Sequence, residues 1–191
     1  MNHSFLFLAE GFEEIEALTV VDVMRRAGMD IKTVSITTEK KVLGAHGIAV
    51  DADFTIDAAK IEDIEWLIAP GGMPGSTNLA TCEQLNSLLK SHAEAGGKVA
   101  AICAAPAVVL APLGILNGKE ATCYPDFDLK PGGAKLKDAP VVVSDNVITA
   151  NGPASAMAFA LAIVANSMGE HIAKQVGEGM LLYQKCTNIY L

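Results

Sequence analysis

The chain has 191 residues, a length that fits one domain of the usual size of roughly 100–200 residues, and a single domain spanning 1–191 is expected. A composition 51% hydrophobic and 19% charged suits strands and helices buried on more than one face and excludes a disordered chain. The formal net charge of −8 leaves no basic surplus to neutralise phosphates or anionic lipid, so neither nucleic acid nor a membrane surface is an expected partner.

From the amino end, Ser4 to Ala9 is a short apolar run stopped by Glu10-Gly11, which reads as a buried strand and a turn. Ala17, Val20, Val21, Met24 and Ala27 then recur at helical spacing. Glu13, Glu14 and Glu16 sit near the start of this helix, Arg25 and Arg26 in its last turn, and Gly28 at the C-cap. Asp30 to Thr37 reads as a second strand, and Lys40 to Val50 as a hairpin or short strands bent at Gly44 and Gly47. Trp66 to Ala69 is another buried strand, followed by the loop Pro70 to Gly75 and a helix from Cys82 to Ala95 that closes on Gly96-Gly97.

Lys98 to Ile102 reads as the next strand and Ala105 to Leu110 as the helix after it, with Cys103 at the join. Beyond Asn117-Gly118, strand-like runs are expected at Ala121 to Tyr124, Val141 to Ser144 and Val147 to Ala150, with a Pro-, Gly- and Lys-rich excursion at 126–140 after the first. Helices follow at about Ala154 to Met168 and Glu170 to Leu182. This alternation predicts an α/β fold: a mostly parallel sheet with helices on both faces, because right-handed crossovers lay each helix against the sheet. The longest apolar stretch, Ala156 to Ala165, is too short for a membrane span, and Met1-Asn2-His3-Ser4 lacks the basic flank of a signal peptide, so a cytoplasmic protein is expected.

In such a fold, function gathers at the carboxyl ends of the strands. The segment Ala101-Ile102-Cys103-Ala104-Ala105 has the small residues that a sharp strand-to-helix elbow demands, and a thiol there faces a helix N-terminus, which favours thiolate. Gly71-Gly72 and the Ala104 N–H could supply oxyanion donors. Of the three glutamates, Glu16 adjoins the apolar stripe and could turn toward the thiol, whereas Glu13 and Glu14 read as surface charge. No histidine suits a Cys-His hydrolase: His3, His92 and His171 are badly placed, and His46, the one not excluded, reads as a surface residue. Cys82, Cys103, Cys123 and Cys186 lack the spacing of a zinc site or redox dithiol and are expected to be free thiols.

The stretches 8–17 (Leu8-Ala9-Glu10-Gly11-Phe12-Glu13-Glu14-Ile15-Glu16-Ala17), 21–28, Ala69-Pro70-Gly71-Gly72, 100–106 and Asn151-Gly152-Pro153 together resemble the ThiJ/PfpI superfamily over nearly the whole chain. The resemblance implies a three-layer, flavodoxin-like α/β/α sandwich, usually a homodimer. It also implies Cys103 as elbow nucleophile, Glu16 as its protonated partner, Gly72 and Ala104 as oxyanion donors, and a pocket walled by Tyr124, Gly152 and Pro153. No metal or organic cofactor is implied. Family activities span cofactor-free conversion of methylglyoxal or glyoxal, deglycation, chaperone action, oxidative sensing and, in one branch, proteolysis. Ala104 stands where the protease-like branch has histidine, which points away from proteolysis. Tyr124 stands where some glyoxalase-active members have histidine, so a small aldehyde and an oxidant both remain candidate partners of Cys103.

Overall fold

Strand β1 (His3–Leu8) puts Leu6 and Leu8 on one face of the sheet and Phe5 and Phe7 on the other, all buried, because alternate residues of a strand face opposite ways and both faces here are covered. In the computed structural model, which describes residues 2–183, β1 sits inside a seven-stranded sheet. The chain continues through α1 (Glu14–Arg26), β2 (Ile31–Ser35), a hairpin of β3 (Lys41–Leu43) and β4 (Ala49–Asp51), β5 (Phe54–Thr55) and β6 (Ile64–Ala69). Then come α2 (Gly75–Ala80), α3 (Glu83–Glu94), β7 (Lys98–Ile102), β8 (Glu120–Ala121), β9 (Lys135–Leu136), β10 (Val141–Ser144), β11 (Val147–Ala150), α4 (Ala156–Met168) and α5 (Glu170–Gly179).

The sheet order is β10-β11-β7-β6-β1-β2-β5, parallel throughout except for the edge strand β10, which runs antiparallel to β11. Helices α1, α4 and α5 cover one face, where Val20, Met24, Phe159 and Ile163 pack on Leu6, Leu8, Trp66 and Ile68. Helices α2 and α3 cover the other, with Leu79, Leu85 and Leu89 against Phe5, Phe7, Leu67 and Val99. This is the mostly parallel sheet with helices on both faces expected from the alternation, in the three-layer, flavodoxin-like form that the family resemblance implies. Trp66, fully buried between β6 and α4, satisfies its indole N–H by donating to Ser167 Oγ at 2.8 Å.

Several boundaries differ from expectation. Helix α2 falls between the expected loop and helix, where no element is expected, since glycine, serine, threonine and asparagine are weak helix formers. The segment after Cys103 is not a regular α-helix but a wide π-type turn, Pro106–Leu110, closed by the Ala111 N–H donating to the Pro106 carbonyl at 2.9 Å. The run Ala121 to Tyr124 is not a strand of the main sheet. Only Glu120–Ala121 pairs, with β9 in a separate two-stranded sheet. Beyond it the Thr122 N–H donates to Thr149 Oγ1 (3.0 Å) and the Tyr124 N–H to the Cys103 carbonyl (2.8 Å). The last helix stops at Gly179 rather than Leu182, and the second strand spans Ile31–Ser35 rather than 30–37. Cys82, Cys103 and Cys123 are free thiols, and Cys186 lies outside the described residues.

Because β1, β6, β7 and β11 are parallel, their carboxyl ends share one edge of the sheet. That edge collects Glu10–Glu13, Pro70–Pro74, Cys103 and Asn151–Pro153. Among the described residues, no helix is long and apolar enough to cross a membrane.

Candidate active site

Cys103 leaves β7 in the left-handed region, φ +64°, a conformation that costs a residue with a Cβ of order 1–3 kcal/mol and persists only where the surroundings impose it. Here the Cys103 N–H donates to the Ala150 carbonyl and its carbonyl accepts from the Tyr124 N–H, both at 2.8 Å, so strand β11 and the 122–124 segment hold the bend from either side. Ala104 and Ala105, the next two residues, are buried. Cys103 as a whole is 9% exposed.

Glu16 comes from the first turn of α1 and is fully buried. The Gly71 N–H donates to its Oε2 at 2.8 Å, its Oε1 has no hydrogen-bond partner among the described residues, and the carboxyl group faces the Cys103 thiol. The N–H groups of Gly72 and Ala104 also face the sulfur. Of the two glycine N–H groups that could serve as donors there, Gly71's is committed to Glu16. Neither glycine can be replaced in place. A Cβ on Gly71 would stand 2.5 Å from Cys103 Cβ and 2.6 Å from Glu16 Oε2. Gly72 sits at φ +91°, and a Cβ there would meet Glu13 N at 2.4 Å.

The structure therefore brings Cys103, Glu16, Gly72 and Ala104 into one cluster. Tyr124, 40% exposed, lays its ring edge over Gly152, where a Cβ would be 3.5 Å from Tyr124 Cδ2, and Pro153 opens the short 3-10 turn Pro153–Ser155 next in the chain. The sequence offered no reason to expect Tyr124 to be fixed by Phe127, whose ring it meets edge-on at 6.5 Å.

The electrostatics overturns one expectation. Burial pushes the Cys103 thiol up to about 12, the Glu16 carboxylate adds to this by charge and hydrogen bonding, and the Gly72 and Ala104 N–H groups offset only part. The regular helix expected to favour thiolate at its N-terminus is replaced by a five-residue π-type turn. Burial also raises Glu16, to about 7, against the pull of the Gly71 N–H. The two groups share a proton problem: a charged carboxylate opposes a thiolate beside it, and protonating Glu16 removes that opposition and leaves the two backbone donors to favour the anion.

Glu13 and Glu14 are not surface charges; they are 8% and 5% exposed. Glu13 is the N-cap of α1, its Oε2 accepting the Glu16 N–H at 2.8 Å. Glu14 receives the His46 N–H and Nδ1 at 2.8 Å each, and Gly44 packs so closely on it that a Cβ would overlap Glu14 Oε1. The spacing Glu13-x-x-Glu16 carried the capping signal, but burial of Glu14 depends on a hairpin some thirty residues away. Glu13, Glu14 and His46 are also the one group among the described residues whose potential metal-ligand atoms lie within 4.8 Å of one another. Both Glu14 oxygens already accept hydrogen bonds there, so the group acts as a tie between helix and hairpin. His92, expected at the surface, is half-buried, its ring lying over Gly97.

A cysteine in a left-handed bend at the carboxyl edge of a parallel sheet, with a buried carboxyl group and two backbone donors around it, defines an α/β protein with an elbow-cysteine site. The DJ-1/PfpI family matches residues 4–166, and the chain belongs to that family. It is 36% identical over 175 residues to protein DJ-1 homolog A of Arabidopsis thaliana, a match that covers 92% of this chain but only 45% of that longer protein. It is 39% identical over 156 residues to the glutathione-independent glyoxalase DJR-1.2 of Caenorhabditis elegans, covering 81% of this chain and 82% of that one. Oxidized DJ-1 of Toxoplasma gondii has the same fold, with a TM-score of 0.88 at 34% identity over 95% of this chain and 98% of that chain.

Proposed function

We propose that the protein is a cofactor-independent glyoxalase- or deglycase-type enzyme for small reactive aldehydes, with Cys103 as nucleophile and Glu16 as acid and base. The observation that carries this reading is the pairing itself: a bend-strained cysteine beside a fully buried carboxyl group whose ionisation lies near neutrality. The glyoxalase name of the worm relative supports it.

With Glu16 protonated, Cys103 thiolate adds to the aldehyde carbon of methylglyoxal, and the alkoxide formed, held by the Gly72 and Ala104 N–H groups, takes the Glu16 proton to give a hemithioacetal and a Glu16 carboxylate. The Glu16 carboxylate then removes the former aldehyde hydrogen as a proton and returns it to the neighbouring carbonyl carbon. The aldehyde carbon is thereby oxidised to a thioester while the ketone is reduced to an alcohol, with no external redox partner. Water cleaves the thioester, releases lactate and restores the thiol. Tyr124, Gly152 and Pro153 wall the pocket for the small substrate.

The test is methylglyoxal loss and lactate formation by purified protein with no added thiol. The parent is expected to turn over and Cys103→Ala to lose activity at least a hundredfold; a parent as slow as Cys103→Ala would overturn the reading.

We further propose that the chain works as one domain and as a homodimer in the cytoplasm. Ile15 and Leu18 on α1, with Leu43 and Ile48 on the adjacent hairpin, form an exposed apolar face that a second copy would cover. A second reading, oxidant sensing through the same thiol, draws support from the structural likeness to an oxidized DJ-1. Under mild peroxide, Cys103 is then expected to gain two oxygens by mass spectrometry before Cys82 or Cys123. Even oxidation of all these thiols would count against the sensor.

A further inference from the structure

Glu13 lies outside the cluster of groups assigned to bond-making, yet its contacts tie that cluster together. Its side chain is nine-tenths buried, its Oε2 accepts the Glu16 N–H at 2.8 Å, and its own N–H donates to the Gly71 carbonyl at 3.0 Å. Gly71 in turn donates to Glu16 Oε2 at 2.8 Å, which closes a ring of three hydrogen bonds through Glu13, Gly71 and Glu16. The Glu13 nitrogen also packs directly under Gly72, whose N–H faces the Cys103 sulfur. Any shift of Glu13 therefore moves both the carboxyl group and a backbone donor of the site.

The charge of Glu13 is poorly compensated. Among the described residues the one basic side chain paired with it is His46, on the hairpin, at 3.9 Å and 69% exposed, and that imidazole is bound more closely to Glu14 at 2.8 Å. The helix packed along α1, α4, has no titratable residue between Ala156 and Met168, and the loop 70–75 has none either. Strands β1 and β2 bear His3 and Lys32 near their amino ends, where both pair with Asp30. Cys103 is the remaining ionisable neighbour of Glu16.

We propose that Glu13 is a positioning residue for the Cys103–Glu16 pair: the buried anchor that fixes the Glu16 carboxyl group, and the negative charge that disfavours a second one beside it. By adding its charge to the burial that already favours neutral Glu16, Glu13 lessens the carboxylate charge that opposes a thiolate at Cys103. His46, when protonated, offsets part of that field from the hairpin. The inference rests on the reading of Cys103 and Glu16 as the reacting pair, but its test does not require aldehyde turnover.

The experiment measures the rate of Cys103 carbamidomethylation by iodoacetamide, followed by mass spectrometry between pH 5.5 and 8.5. Glu13→Gln keeps an oxygen to accept the Glu16 N–H but removes the charge. It is expected to fold as the parent does and to alkylate several-fold more slowly near pH 7, because Glu16 then ionises more readily and its carboxylate opposes a thiolate beside it. In a Glu16→Gln background the same change should leave the rate within about twofold. His46→Gln, which keeps a polar side chain at this exposed position, is expected to act in the opposite direction at pH 6 by removing the offsetting charge. Unchanged alkylation in Glu13→Gln, or equal slowing with and without Glu16, would overturn the proposal, as would slowing in His46→Gln. Absent methylglyoxal turnover with the Glu13–Glu16 coupling intact would instead sink the aldehyde reading and leave this one standing.

Discussion

Gly71→Ala is expected to destabilise the protein by about 1–3 kcal/mol and to reduce Cys103-dependent turnover by at least a hundredfold. One methyl group does this because of what it meets. The added Cβ would lie 2.5 Å from Cys103 Cβ, 2.6 Å from Glu16 Oε2 and 3.0 Å from the Ile102 carbonyl oxygen. None of these is the free end of a flexible side chain: Cys103 is held by two backbone hydrogen bonds, Glu16 by the Gly71 N–H itself, and Ile102 by the middle of the sheet. Relief comes only by parting the β6 loop from the β7 elbow, which separates the carboxyl group and the Gly72 donor from the thiol. Urea denaturation gives the stability change, and a variant with parental stability and turnover would show that the loop is free to move. Gly71 is not in the left-handed region, so a Gly179→Ala control, likewise without a positive φ and with nothing within 4 Å of the added Cβ, isolates the steric cost.

The fold was legible because its signals are local and repeated. The strands at the centre of the sheet are unbroken apolar runs, as burial on both faces demands, and α1 shows a clean apolar stripe closed by Gly28. What the sequence hid depends on distant partners. Helix α2 has no propensity to announce it. Its first residue instead packs on the β1 loop, with the Gly75 N–H donating to the Gly11 carbonyl at 3.2 Å. Cys103 stood out because alanines flank a point where a strand must turn into the next element. Glu13 and Glu14 were misread for the converse reason: a carboxylate at a helix N-terminus is ordinarily at home in solvent, and only the β3–β4 hairpin, folding back over α1, buries these two. The state of the thiol was equally hidden, since it depends on the proton of a carboxyl group 87 positions earlier in the chain, at Glu16.

Glu16→Gln is expected to do two things that rarely go together: to lower aldehyde turnover by about a hundredfold or more, and to make the protein more stable above neutral pH. The stability argument follows from burial. Glu16 titrates at about 7 in the folded protein against an ordinary 4.5, so the folded state holds this proton more tightly than the unfolded chain. Between these two values the unfolded chain has lost the proton and the folded one has not, and stability falls as pH rises through that window. Above about pH 7 the fold has to carry a buried carboxylate, a penalty on the order of 3 kcal/mol. Glutamine resembles the protonated acid: its oxygen can accept the Gly71 N–H and its amide can face the sulfur, and it never ionises. Denaturation curves of parent and variant should therefore nearly coincide at pH 4.5 and diverge by pH 8, the variant being the more stable by up to about 3 kcal/mol. A constant difference across that range would mean that Glu16 does not titrate near neutrality in the fold, and the proton for hemithioacetal formation would then have to come from elsewhere. The parent keeps an ionisable group where an amide would be more stable, and the stability surrendered near neutral pH is what sets a transferable proton beside the Cys103 sulfur.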